Sequence, residues 1–211
     1  MQSEVKALRA QMNPHFMFNA LNAVKSYVLG NQPLKASEYL SNFAYLLRQT
    51  LQQSREHTIT LREDLETVKL YVEMEQMRFQ ETFNVVYEIA EDVDLEQVMI
   101  PPMLSQPYIE NAIKHGLPAR KKEGILTISI QYADDKKEAI LYCIEDNGVG
   151  RKALLNEKKS QHKSLGMTIT QERVDIHNQL NNNQLEVNII DKKDVNGEAT
   201  GTKVTLKLRL F

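Results

Sequence analysis

The chain has one cysteine, no tryptophan, six prolines and eight glycines in 211 residues. A single thiol excludes an intrachain disulfide and a cysteine-built zinc centre, and Cys143, inside a hydrophobic run, reads as a buried thiol. His57, His162 and His177 have no acidic or cysteine partner at metal-ligand spacing, so each reads as a surface or structural histidine. No run of about 20 apolar residues is present, and Met1–Ala10 is too polar for a signal peptide. Charge is nearly balanced, at -2, which gives no reason to expect a nucleic-acid partner. There is no internal repeat or low-complexity tract. What remains is 42% hydrophobic, enough for a real core in one domain of ordinary size plus a helical segment.

Periodicity divides that material into two kinds of structure. Helix is expected over residues 3–29, interrupted near Pro14, and again from 34 to 54 after the turn Gly30-Asn31-Gln32-Pro33, giving an antiparallel hairpin. The apolar positions Phe16, Leu21, Val24, Leu40, Phe43, Leu46, Leu47 and Leu51 exceed what two helices can bury on each other. A dimeric four-helix bundle is the expected remedy, and a monomeric hairpin folded back on the C-terminal domain is the alternative. Residues 60–79 read as a long helix with the stripe Leu61, Leu65, Val68 and Val72. Alternation then predicts strands at 83–89, 126–132, 140–145, 185–189 and 204–210. The expected fold is α+β: a helical hairpin at 1–58, a linking helix at 59–80, and at 81–211 a two-layer α/β sandwich with a mixed or antiparallel sheet. Val5, Leu8 and Met12 fall at i, i+3 and i+7, so the chain reads as starting midway along a longer helix.

Two segments carry chemistry. In Ser105-Gln-Pro-Tyr-Ile-Glu-Asn-Ala-Ile-Lys-His-Gly116, Asn111, Lys114 and His115 stand at i, i+3 and i+4 on one helix face. Leu104, Tyr108, Ile109, Ala112 and Ile113 can be buried on the other. An amide oxygen, an ammonium and an imidazole on one face suit a Mg-bound triphosphate. Mg²⁺ takes oxygen ligands and shares its shell with waters and substrate phosphates, so the Asn111 carbonyl is the expected protein ligand, with Glu110 able to order a metal-bound water. The second segment, Glu145-Asp-Asn-Gly-Val-Gly150, follows an alternating strand. Gly148 and Gly150 let the backbone turn sharply and approach a ligand, while the Asp146 carboxylate can accept a hydrogen bond from an exocyclic amine such as that of adenine. An isolated Asp-x-Gly-x-Gly is more often a turn, but the pair of segments points to ATP.

These segments resemble the N box and G1 box of the ATPase superfamily that holds DNA gyrase, heat-shock chaperone, mismatch-repair and histidine kinase catalytic domains. Ser164-Leu165-Gly166-Met167 resembles the G2 box, and Gly201-Thr202 the motif that closes the site, so the resemblance covers residues 100–211. Five of the eight glycines, at 116, 148, 150, 166 and 201, fall in these boxes. The resemblance implies ATP and Mg²⁺ as ligands. Asp146 would hold adenine and Asn111 the metal, with Lys114, His115, Gly148, Gly150, Gly166, Gly201 and Thr202 around the nucleotide. Ser164 and Ala199 stand where the superfamily usually has glycine, which bears on the lid. Residues 151–163, polar and lysine-rich, would form that lid.

In Gln11-Met-Asn-Pro-His-Phe-Met-Phe-Asn-Ala-Leu-Asn22 a histidine directly follows a proline inside a helical pattern. Proline lacks a backbone donor and disfavours helix in the residue before it, so a new segment starting here would display His15. The string resembles the phosphoacceptor region of the LytS/YehU-type sensor histidine kinases, which act with response regulators of the LytTR type. That resemblance implies that His15 is the phosphoacceptor, with Asn19 one turn later orienting its ring or a water. A neutral imidazole, with a pKa of about 6.5, is a competent nucleophile near neutrality. Many histidine kinases place an acid directly after the phosphoacceptor; this chain has Phe16, so no general base is assigned. The resemblance further implies a homodimer and transfer to an aspartate of a response regulator. It also implies a membrane-embedded or periplasmic sensor ahead of this region, which would lie on the cytoplasmic side of the bacterial inner membrane. Two alternatives stay open: a plain ATPase or ATP-gated switch with Glu110 activating water, and a degenerate kinase that docks or dephosphorylates its regulator.

Overall fold

A computed structural model describes residues 14–79, 82–117, 123–150, 174–175, 178–179 and 185–210, without the side chains of Pro14 and His15. The helix expected over 3–13, the lid at 151–163 and the Gly166 motif lie outside the described residues.

Helix α1 is described from Pro14 to Leu29, and α2 runs Pro33–Gln53. The turn between them closes on backbone bonds from Gly30 to Ser26, 2.9 Å, and from Gln32 to Tyr27, 2.9 Å. Asn31 takes the left-handed conformation there, φ 53, which asparagine tolerates better than most residues. Pro33 then opens α2, where its missing N–H would have gone unused in the first turn. Strand β1 (Ile59–Thr60) leads into α3 (Leu61–Arg78), whose start is set by a capping box. The Thr60 hydroxyl accepts from the Glu63 N–H at 3.2 Å, and Glu63 accepts from the Thr60 N–H at 2.8 Å.

The hairpin lies on α3 of its own chain. Ala20, Ala23, Tyr39, Phe43 and Leu46 share one buried cluster with Leu65, Val68, Tyr71, Val72 and Met74. The Phe16 ring sits 5.7 Å from Phe43 and 5.5 Å from Tyr71. The apolar surplus of the hairpin is thus partly absorbed within one chain, because the alanines let the helix backbones come close. It is not fully absorbed: Phe18 is 65% exposed, Leu21 57%, Leu29 77%, Leu34 85% and Leu40 49%.

Strands β2 (Phe83–Ile89), β4 (Gly124–Tyr132), β5 (Ala139–Asp146), β6 (Leu185–Lys193) and β7 (Ala199–Arg209) form a sheet in the order β2-β4-β5-β7-β6. A short β3 (Met99–Ile100) pairs antiparallel with β1 outside it. β2 and β4 are parallel and every other neighbouring pair is antiparallel, so the sheet is mixed. A parallel pair needs a crossover, and residues 90–123 supply it. That crossover carries α4 (Gln106–Asn111) onto the sheet, where Ile109 and Ile113 pack in the same core as Leu126, Ile128, Ile144 and Leu206. Among the described residues the two hairpin helices, the long helix after them and the five sheet strands lie where expected to within about five residues, and the architecture is α+β as expected.

Candidate functional site

Asp146 ends the central strand β5 and is 5% exposed. Its Oδ1 accepts the Gly148 N–H at 2.8 Å, and the Thr202 backbone N–H, a second potential donor, lies beside the carboxylate. Burial pushes its pKa up, opposed by those two donors and by the Lys192 charge, while Glu145 adds to the rise. Glycine lines the turns around this residue because nothing larger fits. A Cβ on Gly116 would lie 2.9 Å from Asp146 Oδ1, and one on Gly201 would overlap the Asp146 carbonyl oxygen. Gly150, with φ +71, lies against Ala199 and the Gly201 carbonyl. Asp146, Gly148, Gly150, Gly201 and Thr202 are therefore brought together, with Gly116 joining them from the crossover.

Asn147 closes the edge of this cluster. Its side-chain oxygen accepts from the Ile125 N–H at 2.8 Å and its amide donates to the Glu123 carbonyl at 2.8 Å, tying the turn to the start of β4.

The upstream segment departs from the uniform helix its spacing predicts. α4 stops at Asn111 and continues as a π-helical turn over Ala112–Gly116, closed by an i→i+5 bond from the Leu117 N–H to the Ala112 carbonyl at 2.9 Å. Such turns are often found at functional sites. The wider turn brings Gly116 onto the turn after β5, where its carbonyl accepts the Val149 N–H at 3.3 Å. Lys114 turns back to Glu110, Nζ to Oε2 2.7 Å, and Glu110 also accepts from Gln106 at 3.2 Å. Asn111 is half-buried, and no other described residue engages its amide.

His15 and Asn19 stand on α1, Asn19 half-buried. Their helix reaches this region through α3: Phe16 contacts Tyr71, and Tyr71 lies close enough to Glu110 that its charge, after burial, raises the phenol pKa.

Three buried polar residues escaped the sequence reading. Asp64, 3% exposed on α3, accepts from the Ser105 hydroxyl at 2.8 Å, and Ser105 is fully buried. Burial pushes the Asp64 carboxyl up to about 6, offset by Ser105 and by Tyr142. The Tyr142 hydroxyl lies beside the pair but outside normal hydrogen-bond geometry. The signal was available: Asp64 stands at i+3 from Leu61, inside the apolar stripe. Glu75 interrupts the same stripe further on, fully buried and bridged by Arg78, whose Nε lies 3.3 Å from Glu75 Oε1.

The histidine kinase family matches this chain over residues 3–83. The chain is 37% identical over 148 residues to the sensor protein LytS of Staphylococcus haemolyticus, covering 70% of this chain and 24% of that protein. It is 36% identical over 148 residues to the sensor histidine kinase/phosphatase LytS of Staphylococcus aureus, with the same coverage of 70% and 24%. The chain thus spans about a quarter of the length of the curated relatives it matches. Among solved structures it resembles the histidine kinase domain of the Erythrobacter litoralis EL346 blue-light activated histidine kinase, with TM-score 0.51 and 16% identity over 83% of this chain and 86% of that one. It also resembles the mycobacterial sensor histidine kinase MprB, with TM-score 0.50 and 15% identity over 72% and 95%. At these identities the structural likenesses speak for the fold alone. With a phosphoacceptor-like string, a buried aspartate and a glycine cradle in one chain, and with these relatives in sequence, the chain belongs to the LytS-type sensor histidine kinases.

Proposed function

We propose that this chain is the ATP-dependent kinase part of a two-component sensor, phosphorylating His15 and passing the phosphoryl group to an aspartate of a response regulator. The observation that carries the reading is the Asp146 cradle: a buried carboxylate at the end of the central strand, held by the Gly148 N–H and packed against Gly116, with Gly148 and Gly201 in close backbone contact around it. A carboxylate so held suits an exocyclic amine of adenine, and the glycines let the two turns close on each other around it.

The residues present fit Mg²⁺ held jointly with nucleotide. The described residues contain no cluster of acidic, histidine or cysteine side chains able to hold a metal alone, and Asn111 offers a hard amide oxygen engaged by no other described group. A bound Mg²⁺ would neutralise charge on the β- and γ-phosphates. Asn111 would hold it, Lys114 and His115 would lie along the phosphates, and Gly148, Gly150, Gly201 and Thr202 would shape the pocket, with Gly166 contributing from outside the described residues. Phosphoryl transfer passes through a loose transition state, so the protein's task is positioning and charge neutralisation. His15 would attack the γ-phosphorus in line as the bond to the β–γ bridging oxygen breaks and ADP leaves, with Asn19 orienting its ring.

Glu110 bears on the plain-ATPase alternative. Its carboxylate is engaged by Lys114 and Gln106, which favours a positioning role for it over activation of a hydrolytic water. The exposed side chains of Phe18, Leu21, Leu29, Leu34 and Leu40 suit a homodimer contact. No described helix is long and apolar enough to cross a membrane, and the sensor implied by the family would precede this region.

The test is incubation with γ-labelled ATP and Mg²⁺ beside His15→Gln and Asp146→Asn. Acid-labile, alkali-stable label lost in both variants is the expected result. Label persisting in His15→Gln overturns the site assignment, and ATP binding with no label favours a regulator-docking or phosphatase module.

A further inference from the structure

We propose that Asp64 is a positioning residue for the nucleotide site, fixing the head of the N-box helix through the Ser105 hydroxyl. This rests on the reading of the Asp146 cradle and the Asn111 segment as an ATP site.

Ser105 stands at the N-cap of α4, a position where serine normally turns its hydroxyl onto the first free N–H groups of its own helix. Here it does not: its backbone is helical, φ -77 and ψ -33, and no side-chain cap bond forms. Its carbonyl receives the first bonds of the helix, from Tyr108 at 3.1 Å and Ile109 at 3.3 Å, so Ser105 is the head of α4. The hydroxyl instead crosses 41 positions in sequence to Asp64 Oδ2 at 2.8 Å. Two residues earlier Met103 is held at φ 58, a left-handed conformation that a non-glycine residue keeps only where its surroundings enforce it.

From that anchor α4 runs six residues to Asn111. The π turn that follows seats Gly116 on the Asp146 turn, so the segment carrying Asn111 and Lys114 is held at both ends. One end is glycine packing. The other is Asp64, on the helix against which the hairpin of His15 is packed.

Stability does not account for this carboxylate. Asp64 sits in the apolar stripe of α3 beside Leu61 and Leu65, and a buried charge there is harder to accommodate than an apolar side chain of like size. What an apolar residue would not supply is a directional acceptor for Ser105.

The experiment uses the 211-residue chain and its Asp64→Leu, Asp64→Asn and Ser105→Ala variants, with AMP-PNP affinity measured by calorimetry and Tm measured alongside. Asp64→Leu removes a buried carboxylate but orphans the Ser105 hydroxyl, so its Tm is expected to stay near wild type while AMP-PNP binding weakens about tenfold, a change of the size seen for positioning networks. Asp64→Asn, which keeps an acceptor for Ser105, is expected to retain wild-type affinity. If Asp64→Leu fails to fold, Ser105→Ala decides, since it removes only the hydroxyl: weakened affinity with unchanged circular dichroism supports the anchor. Unchanged affinity in the folded Asp64→Leu or Ser105→Ala protein overturns the proposal and leaves the ATP-site reading intact. A wild-type chain that does not bind AMP-PNP overturns both.

Discussion

Gly116 and Gly148 meet backbone to backbone: a Cβ placed on Gly148 would overlap the Gly116 carbonyl group. Two segments far apart in sequence thus touch where no side chain can intervene, one from the crossover and one from the turn after β5. Gly148→Ala is expected to force them apart, costing about 1–3 kcal/mol of stability by overpacking. It should also abolish measurable nucleotide binding, read by calorimetry with Tm alongside. A Gly148→Ala protein that binds as wild type would show that the close approach has no bearing on the site.

Asp146→Asn separates recognition from architecture. Asparagine can still accept the Gly148 N–H that the carboxylate accepts at 2.8 Å, so the turn should persist. Tm should stay close to wild type while affinity for adenine nucleotide falls at least about tenfold, since amide and amine donors then face each other across the pocket. A large fall in Tm would instead make Asp146 chiefly a structural residue.

The Asp64 carboxyl sets a direction for stability against pH. Its folded pKa, pushed up by burial to about 6, lies above the unfolded value, so the protonated form favours the fold. Its contribution is fully present below the unfolded pKa of about 3.9 and is lost as pH rises towards 6. Comparison of Asp64→Asn with wild type should therefore show a relative gain on the order of 3 kcal/mol at pH 8 over that at pH 4. Denaturant midpoints at the two pH values measure it, and parallel curves would refute it.

Arg78 bridges the fully buried Glu75. Arg78→Met leaves that carboxylate unpaired beside the buried hydroxyls of Tyr39 and Tyr71, which have no hydrogen-bond partner among the described residues. A loss of roughly 3–5 kcal/mol is expected, with much of it recovered in Glu75→Gln/Arg78→Met, because breaking a buried pair costs more than removing both partners. Chemical unfolding of the three proteins tests this.

Much of this could be read from residues alone, wherever the signal is local. The period-2 alternation of residues 140–145 predicts β5, the stripe Leu61, Leu65, Val68 and Val72 predicts α3, and Gly30 through Pro33 predicts the turn, each because a face or a φ angle is decided by neighbours in sequence. The glycine-rich turn after Asp146 and the segment before Gly116 were legible as nucleotide chemistry because backbone approach needs glycine whatever surrounds it.

Other features depend on distant groups. The α4 helix gives way to a π turn at Ala112–Gly116, which the spacing of Asn111, Lys114 and His115 does not predict; Gly116 there meets Asp146 and Gly148, contacts that α4 carries no local record of. Asp64 and Ser105 are ordinary polar residues in sequence, one in a helix and one before a proline-led helix, and become a pair only when the crossover lays α4 against α3. The residue pattern by itself determined the elements and pointed to a kind of ligand, because periodicity and glycine act locally. Which buried polar groups meet, and therefore what holds the site in register, only the tertiary packing decided, because a hydrogen bond between residues 41 positions apart has no sequence spacing to announce it.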